Sequence, residues 1–272
     1  MSRPNDFHVE LIATGNEILF GRLLDTNSAW IVKNLTEDGA RVKRITCIGD
    51  DIQDIRGVIQ ESLARKPDLI ITTGGLGPSF DDRTIEAIAS AVSKEIVLNE
   101  NALKMLKNGF KKRSQRRGGS SKLPPRLRKM AYLIEGSEPI ENPVGLAPGI
   151  KLMVEKTLII ALPGVPNEMK TIFKRFLSPL IKEATGRRIA AMSLRVKVER
   201  GTLTSIIKEF LETNPNMYLK TYAGDITPHS GIKIDIMAQG ETIEESETVL
   251  KATFKELKKI VEEKDGVLTL ID

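Results

Sequence analysis

Three times before residue 80, a short apolar run ends in a glycine turn and gives way to a helical pattern. His8 to Thr14 (HVELIAT) runs into Gly15, Arg41 to Ile48 (RVKRITCI) into Gly49, and Asp68 to Thr72 (DLIIT) into Gly74, Gly75 and Gly77. Between these runs, Ile31, Val32 and Leu35 share a helical face closed by Gly39, and Ile52, Ile55, Ile59 and Leu63 follow Asp51 at helical spacing. Ile85, Ile88, Ala89 and Val92 make a further helical face. Strands this apolar are buried on both sides, which requires a parallel sheet covered by helices on both faces. Val42, Ile45 and Ile48 are the expected core residues of the second strand. Cys47 is expected there as a small buried apolar residue, and Trp30 as a packing residue. Gly149 to Val154 and Thr157 to Ala161, separated by Glu155 and Lys156, read as a hairpin on the sheet edge. Glu168 to Glu183 reads as the closing helix.

Beyond a linker at Thr185, Gly186 and Arg187 the pattern changes. Met192, Leu194, Val196 and Val198 alternate with Ser193, Arg195 and Lys197, the mark of a strand with one wet face. Leu203, Ile206, Ile207, Phe210 and Leu211 predict a helix, Met217 to Tyr222 and Ile232 to Ala238 two strands, and Leu250, Phe254, Leu257 and Val261 a final helix. The expectation is therefore an α/β fold, a mostly parallel sheet with helices on both faces over 5–184, plus a small α+β domain over 188–272 with helices on one face.

Several functions are excluded early. One cysteine, Cys47, allows no internal disulfide, and two histidines, His8 and His229, cannot build a multi-histidine zinc centre. Each histidine reads as structural rather than catalytic. No run approaches a membrane span and MSRPND is no signal peptide, so a cytoplasmic protein without a membrane partner is expected. The net charge of +5 is local in origin. Between Glu100 and Glu135 there are eleven basic residues and no acidic one. Of the chain's 41 basic residues, 30 then face 36 acidic ones elsewhere, a net of −6. The basic segment, Lys104 to Lys129, either seeks phosphate or is a solvated run, mobile over Lys111 to Ser121.

In open parallel sheets ligands bind beyond the carboxyl ends of the strands, and polar residues cluster there. Gly15, Asn16, Glu17, Asp25 and Asn27 follow the first strand, and Asp50 and Asp51 the second. Thr73, Gly74, Gly75, Gly77, Asp81 and Asp82 follow the third, in TTGGLGPSFDD. Three glycines in four positions let backbone N–H groups converge on an anion, or merely serve a tight turn. It is neither a Walker loop nor a dinucleotide fingerprint. Phosphate beside bare carboxylates needs a divalent cation between them. One aspartate of each pair, Asp50/Asp51 and Asp81/Asp82, is expected to cap a helix and the other to face the site. Two later loops, ENPVGLAPG with Asn142 and Gly145, and LPGVPNEM with Pro163 and Gly164, would wall a nucleotide or pterin pocket.

GNEILFGRLLDTN, CIGDD, TTGGLGPSFDD, NPVGLAPG and LPGVPNEM resemble, in order and spacing, the amino-terminal domain of the competence/damage-inducible protein CinA family. That domain belongs to a molybdenum-cofactor-biosynthesis superfamily whose other branches bind molybdopterin or adenylylate it. The resemblance covers about residues 7–180, and 188–272 is similar to the family's small middle domain, of KH-like order. The nicotinamide-mononucleotide deamidase domain of many CinA proteins is expected to be absent, since the sequence stops at Asp272. The resemblance implies hydrolysis of an ADP-ribose-like or FAD-like pyrophosphate with magnesium, manganese or cobalt. In this reading Asp50 and Asp82 are the catalytic acidic pair, Asp81 joins them at the metal, and Gly74, Gly75 and Gly77 hold phosphate. Lys129, at a basic family position near the substrate, is the third catalytic residue in this reading and stabilises charge on the phosphates. The family often has Asn-Arg-Lys-Gln where this chain has Leu127, Arg128, Lys129 and Met130, so two polar contacts are missing. Adenylyl transfer to molybdopterin would differ only in the nucleophile. A nucleic-acid module is the third reading. The small domain has no GxxG loop, Gly201 standing alone, and this together with the 4% of aromatic residues weighs against it. A small-molecule nucleotide is the expected partner, bound by a homo-oligomer.

Overall fold

The computed structural model describes residues 7–115, 122–214, 217–222 and 231–271. The chain divides into two compact units, Met1–Leu35 with Ala40–Ala184, and Thr36–Gly39 with Thr185–Asp272.

The first unit opens with β1 (His8–Thr14), α1 (Asn16–Leu19), α2 (Thr26–Glu37), β2 (Arg41–Ile48), α3 (Ile52–Ala64) and β3 (Leu69–Thr73). There follow α4 (Thr84–Ala91), β4 (Ile96–Leu98), α5 (Glu100–Gln115), a 3-10 helix (Pro125–Ala131), β5 (Tyr132–Ile134) and β6 (Glu138–Ile140). It closes with β7 (Gly149–Val154), β8 (Thr157–Leu162), α6 (Pro166–Ile172), a π-helical turn (Phe173–Leu177) and α7 (Ser178–Thr185). The sheet order is β2-β1-β3-β8-β7-β6, parallel from β2 to β8 and antiparallel across β7 and β6. Alternation along the strands feeds two cores. Val9, Leu11, Leu69, Ile71 and Ile160 pack against α2, α6 and α7, while Ile12, Ile70 and Ile159 pack against α3, α4 and α5. Trp30 meets Phe173 edge to face at 5.3 Å, a packing role as expected.

Three expectations are corrected. Because β2 is the edge strand, Ile45 is 48% exposed and Cys47 is exposed, neither a core residue. The β7–β8 hairpin is internal, since β8 pairs with β3 and the short β6 takes the edge. Lys111 to Gln115, expected to be mobile, continue α5, whereas 116–121 lie outside the described residues, as does His229.

One charge is buried in this sheet. Glu10 on β1 accepts two bonds from Arg65, each 2.7 Å, and one from Ser62 Oγ at 2.8 Å. Burial pushes its carboxyl up, but the Arg65 and Ser62 bonds outweigh this and hold it below the ordinary 4.5.

The second unit contains β9 (Arg188–Lys197), α8 (Arg200–Thr213), β10 (Tyr218–Tyr222), β11 (Ile232–Gly240), α9 (Ile243–Glu262) and β12 (Val267–Leu270). The expected β-α-β-β-α order gains a final strand, too short to announce itself by periodicity. The sheet order is β10-β11-β9-β12, antiparallel throughout. α9 starts with a capping box, Thr242 and Glu245 bonding each other's backbone. Among the described residues no helix is long and apolar enough to cross a membrane.

Candidate functional site

The parallel strands β1, β3 and β8 end side by side, and each ends in a turn that glycine permits. Gly74 and Gly75 follow β3 with φ of 104° and 67°, a backbone region that a side chain disfavours. There is also no room for one. A Cβ on Gly74 would collide with Thr14 O, and on Gly75 with Thr84 Oγ1. Beneath the loop Thr84 Oγ1 donates to Gly74 O at 2.9 Å and lies 3.1 Å from Thr14 Oγ1, so β1, β3 and α4 are fastened at one point. After β8, a Cβ on Gly164 would stand 3.3 Å from Gly74 Cα. Asn27 Nδ2 donates to Gly164 O at 2.7 Å, fixing α2 to this loop.

The carboxylates divide only partly as expected. Asp51 caps α3, accepting from Gln53 N at 2.8 Å and Asp54 N at 3.2 Å. Asp50 accepts from Asn16 N at 3.0 Å, while Asn16 Oδ1 returns a 3.4 Å bond from Asp50 N. Neither Asp81 nor Asp82 caps α4. Arg83 holds the cap position without a side-chain capping bond, its Nε donating to Phe80 O at 3.1 Å instead, and Asp82 Oδ2 accepts from Ser79 N at 2.7 Å, closing its own turn. Asp25 Oδ1 accepts from Ser28 N at 2.9 Å at the start of α2. Its Oδ2 lies 3.8 Å from Cys47 Sγ, and although the residue is exposed, local desolvation of the thiol together with this carboxylate pushes its pKa up.

A cleft of about 540 Å³ opens over these loops, within the range of small-ligand sites. Gly15, Glu17, Asp25, Asn27, Asp50, Thr73, Gly74, Gly75, Gly77, Asp81, Asp82, Pro163 and Gly164 all line it. Four other expected site residues do not. Asn16 acts through Asp50. Asn142 Nδ2 donates to Glu168 Oε2 at 2.6 Å, and its Oδ1 accepts from Gly145 N at 2.8 Å, so Asn142 and Gly145 shape the loop behind the wall. Lys129 turns its ammonium onto protein carbonyls, Asp82 O at 2.7 Å and Ser79 O at 3.2 Å, with Glu86 at 3.5 Å. It braces the Ser79–Asp82 turn and does not line the cleft.

Sequence reasoning missed other lining residues. Leu127, Met130 and Leu146 form an apolar wall, and two of these are the positions where the chain departs from the CinA motif. Glu168, inside the quoted LPGVPNEM motif, adds a carboxylate, and Arg113 in α5 brings in one residue of the basic segment. Six carboxylates thus line the cleft, those of Glu17, Asp25, Asp50, Asp81, Asp82 and Glu168, with Arg113 the one cation among the described lining residues. Even so, among the described residues no three or more His, Cys, Asp or Glu side chains gather closely enough to hold a metal ion unaided, Asp50, Asp81 and Asp82 included.

Comparison with known proteins gives the same outline. A protein of Metallosphaera sedula is 35% identical over 264 residues, covering 96% of this chain and 97% of the relative. One of Aeropyrum pernix is 34% identical over 262 residues, covering 95% of each. The solved structure of the protein CinA from Thermoplasma acidophilum is 37% identical, with a TM-score of 0.57, and covers 64% of this chain and 98% of its own. Residues 10–183 match the family model described as "Probable molybdopterin binding domain", and the chain belongs to that family.

Proposed function

We propose that the cleft binds a phosphorylated pterin of the molybdopterin class. The observation that carries this reading is the pairing of a glycine anion loop with an apolar wall, in a chain whose residues 10–183 match the molybdopterin-binding family. The N–H groups after β3 face the phosphate, which the two positive-φ glycines allow to approach closely. The flat ring system rests on Leu127, Met130 and Leu146. Asp25 and Glu168 accept from its ring N–H and amino groups.

The carboxylates give the phosphate end a second requirement. Asp50 and Asp82 each spend one oxygen on a backbone N–H, and the other takes no protein donor among the described residues. Magnesium is commonly held by one or two carboxylates together with phosphate oxygens of the ligand, so a lone pair of aspartates fits an ion that arrives with the phosphate. Such an ion would screen phosphate from carboxylate and polarise a phosphoryl oxygen.

The same carboxylate excess supports a second reading, cleavage of a nucleotide pyrophosphate. There water attacks one phosphorus, the bridging P–O bond breaks, and ADP-ribose yields AMP and ribose 5-phosphate. Adenylyl transfer would use a pterin phosphate in place of water. One experiment separates the three. The full chain is titrated anaerobically with molybdopterin by fluorescence, then incubated with magnesium and either ADP-ribose alone or ATP plus molybdopterin. Saturable pterin binding without AMP release supports the binding reading. AMP from ADP-ribose, lost in chelator, supports hydrolysis, and an adenylylated pterin supports transfer. Absence of pterin binding refutes the first proposal.

A further inference from the structure

The second unit has a surface for which the cleft has no use. Both its helices pack on one face of the sheet, where Leu194, Val196, Ile234 and Ile236 are buried with Leu203, Phe210 and Leu257. The pairing register fixes what the other face presents. Tyr222 stands opposite Lys233, and Lys233 opposite Arg195. Lys220 stands opposite Asp235, and Asp235 opposite Ser193. Tyr218 at the edge is 52% exposed and Tyr222 41%. Arg195, Lys197, Lys220 and Lys233 are all exposed, so among the described residues four cations share this face with one carboxylate.

That carboxylate is spent internally. Asp235 accepts from Ser193 Oγ and Tyr222 OH, each at 2.6 Å, with Lys233 Nζ at 3.6 Å. Burial raises its pKa, but the Ser193 and Tyr222 bonds and Lys233 outweigh that and hold it low. The Tyr222 bond also orients its ring, with Lys233 Nζ 4.9 Å from the ring centre. The face is therefore flat and cationic, with one aromatic ring pinned and another exposed on the same edge strand.

We propose that this open sheet face binds single-stranded nucleic acid, with bases against Tyr218 and Tyr222 and phosphates against Arg195, Lys197, Lys220 and Lys233. Stacking suits any base because each has a π-face, and cations alongside follow the backbone. In a duplex the bases stack on one another and leave no such face. A second copy of the chain, meeting this face about a two-fold axis, would set four cations against four. An acidic peptide would meet the cations but leave the tyrosines without a flat partner.

The test uses the full chain and fluorescein-labelled 12-mers of thymidine and of uridine, followed by anisotropy. Binding is expected to be saturable at 50 mM NaCl and about 20- to 50-fold weaker at 200 mM, the slope for three or four phosphates on a single strand. Arg195→Glu with Lys197→Glu should lower affinity about tenfold or more and flatten that slope. Tyr218→Ala should lower it about fivefold or more without changing the slope, and Tyr218→Phe should restore it. Lys251→Glu with Lys255→Glu makes the same charge change on exposed α9 positions and should leave binding unchanged. Circular dichroism and melting temperature confirm that each variant is folded. The proposal is overturned if neither strand binds at 50 mM salt, or if the sheet-face and α9 variants weaken binding equally. It is also overturned if a duplex or poly-glutamate binds as tightly as the single strands, or if sedimentation shows a dimer that Arg195→Glu dissociates.

Discussion

Gly75→Ala is the substitution whose cost the geometry defines best. At φ 67° an L-residue with a Cβ loses about 1–2 kcal/mol relative to glycine. The added carbon would also collide with Thr84 Oγ1 and stand 3.1 Å from Thr84 Cβ. Thr84 must then give up its bond to Gly74 O and its contact with Thr14 Oγ1, both buried and each contributing about 1 kcal/mol. The expected total is about 3 kcal/mol, or about 6–12 °C of melting temperature for a unit of this size.

The chain's single tryptophan provides the assay. Trp30 packs on Phe173 inside the first unit, so its fluorescence follows unfolding of the unit that holds the loop. Thr84→Ala alone should cost about 1–2 kcal/mol through lost hydrogen bonds. In the double variant the collision with Oγ1 is gone and the two bonds are lost once instead of twice, so the two costs should fall short of additivity by about 1–2 kcal/mol. An unchanged melting temperature for Gly75→Ala would falsify the loop geometry. Additive costs, within about 0.5 kcal/mol, would show that Thr84 is not the obstacle.

Three further outcomes are expected. Asp82→Asn keeps an oxygen for Ser79 N–H but removes a charge, so the melting temperature should hold. The magnesium dependence of phosphorylated-pterin binding should fall about tenfold, and any pyrophosphate turnover about 10²-fold. Equal magnesium dependence in both proteins would remove Asp82 from the phosphate end. Glu10→Gln breaks the bidentate pair with Arg65 and should cost about 2 kcal/mol at pH 7. A carboxyl held below 4.5 in the folded chain stabilises fully above 4.5 and less as pH falls through its lowered value. The gap between wild type and Glu10→Gln should therefore narrow below pH 4.5, and melts that stay equally separated down to pH 2 would contradict this. Asp25→Asn relieves the upward push on the Cys47 thiol, so alkylation by iodoacetamide at pH 8 should be about threefold faster. An unchanged rate would mean that Asp25 does not control the thiol.

What could be read in advance depended on how many residues shared each constraint. β1 and β3 announced themselves because burial on both faces leaves runs of apolar residues, and the glycines after them marked the ligand end of the sheet. β2 misled because Ile45 and Cys47 belong to the same kind of run, although an edge strand leaves them exposed. Three-residue strands such as β4, β5 and β6 are too short for any period to show. At the cleft, residues tied to a local turn were legible, since Gly74 and Asp50 sit next to the strand ends that place them. Arg113 and Glu168 were not, because their approach depends on how α5 and α6 pack. Lys129 misled for the opposite reason. Its position beside the site was legible, but a lysine reaches in many directions, and here two backbone carbonyls of the Ser79–Asp82 turn take its ammonium.

The distribution of charge joins these observations. The first unit combines an acidic cleft with a helix, α5, whose Lys104, Lys107, Lys111 and Lys112 follow one another without an acidic residue until Arg113 reaches the cleft. In the proposed binding a phosphate would be drawn by the helix at a distance, where summed charge matters, yet close in it would meet six carboxylates and one arginine among the described lining residues. Attraction outside and repulsion inside are compatible only if something cationic accompanies the ligand over the last few ångströms, or if the ligand itself carries donors for the carboxylates. A phosphorylated pterin bound with a divalent ion offers both, its ring N–H groups at one end and its ion-paired phosphate at the other. A bare inorganic phosphate brings no cation and no ring N–H groups, so under the proposed function the acidic lining would select for the rest of the ligand and not for the anion alone.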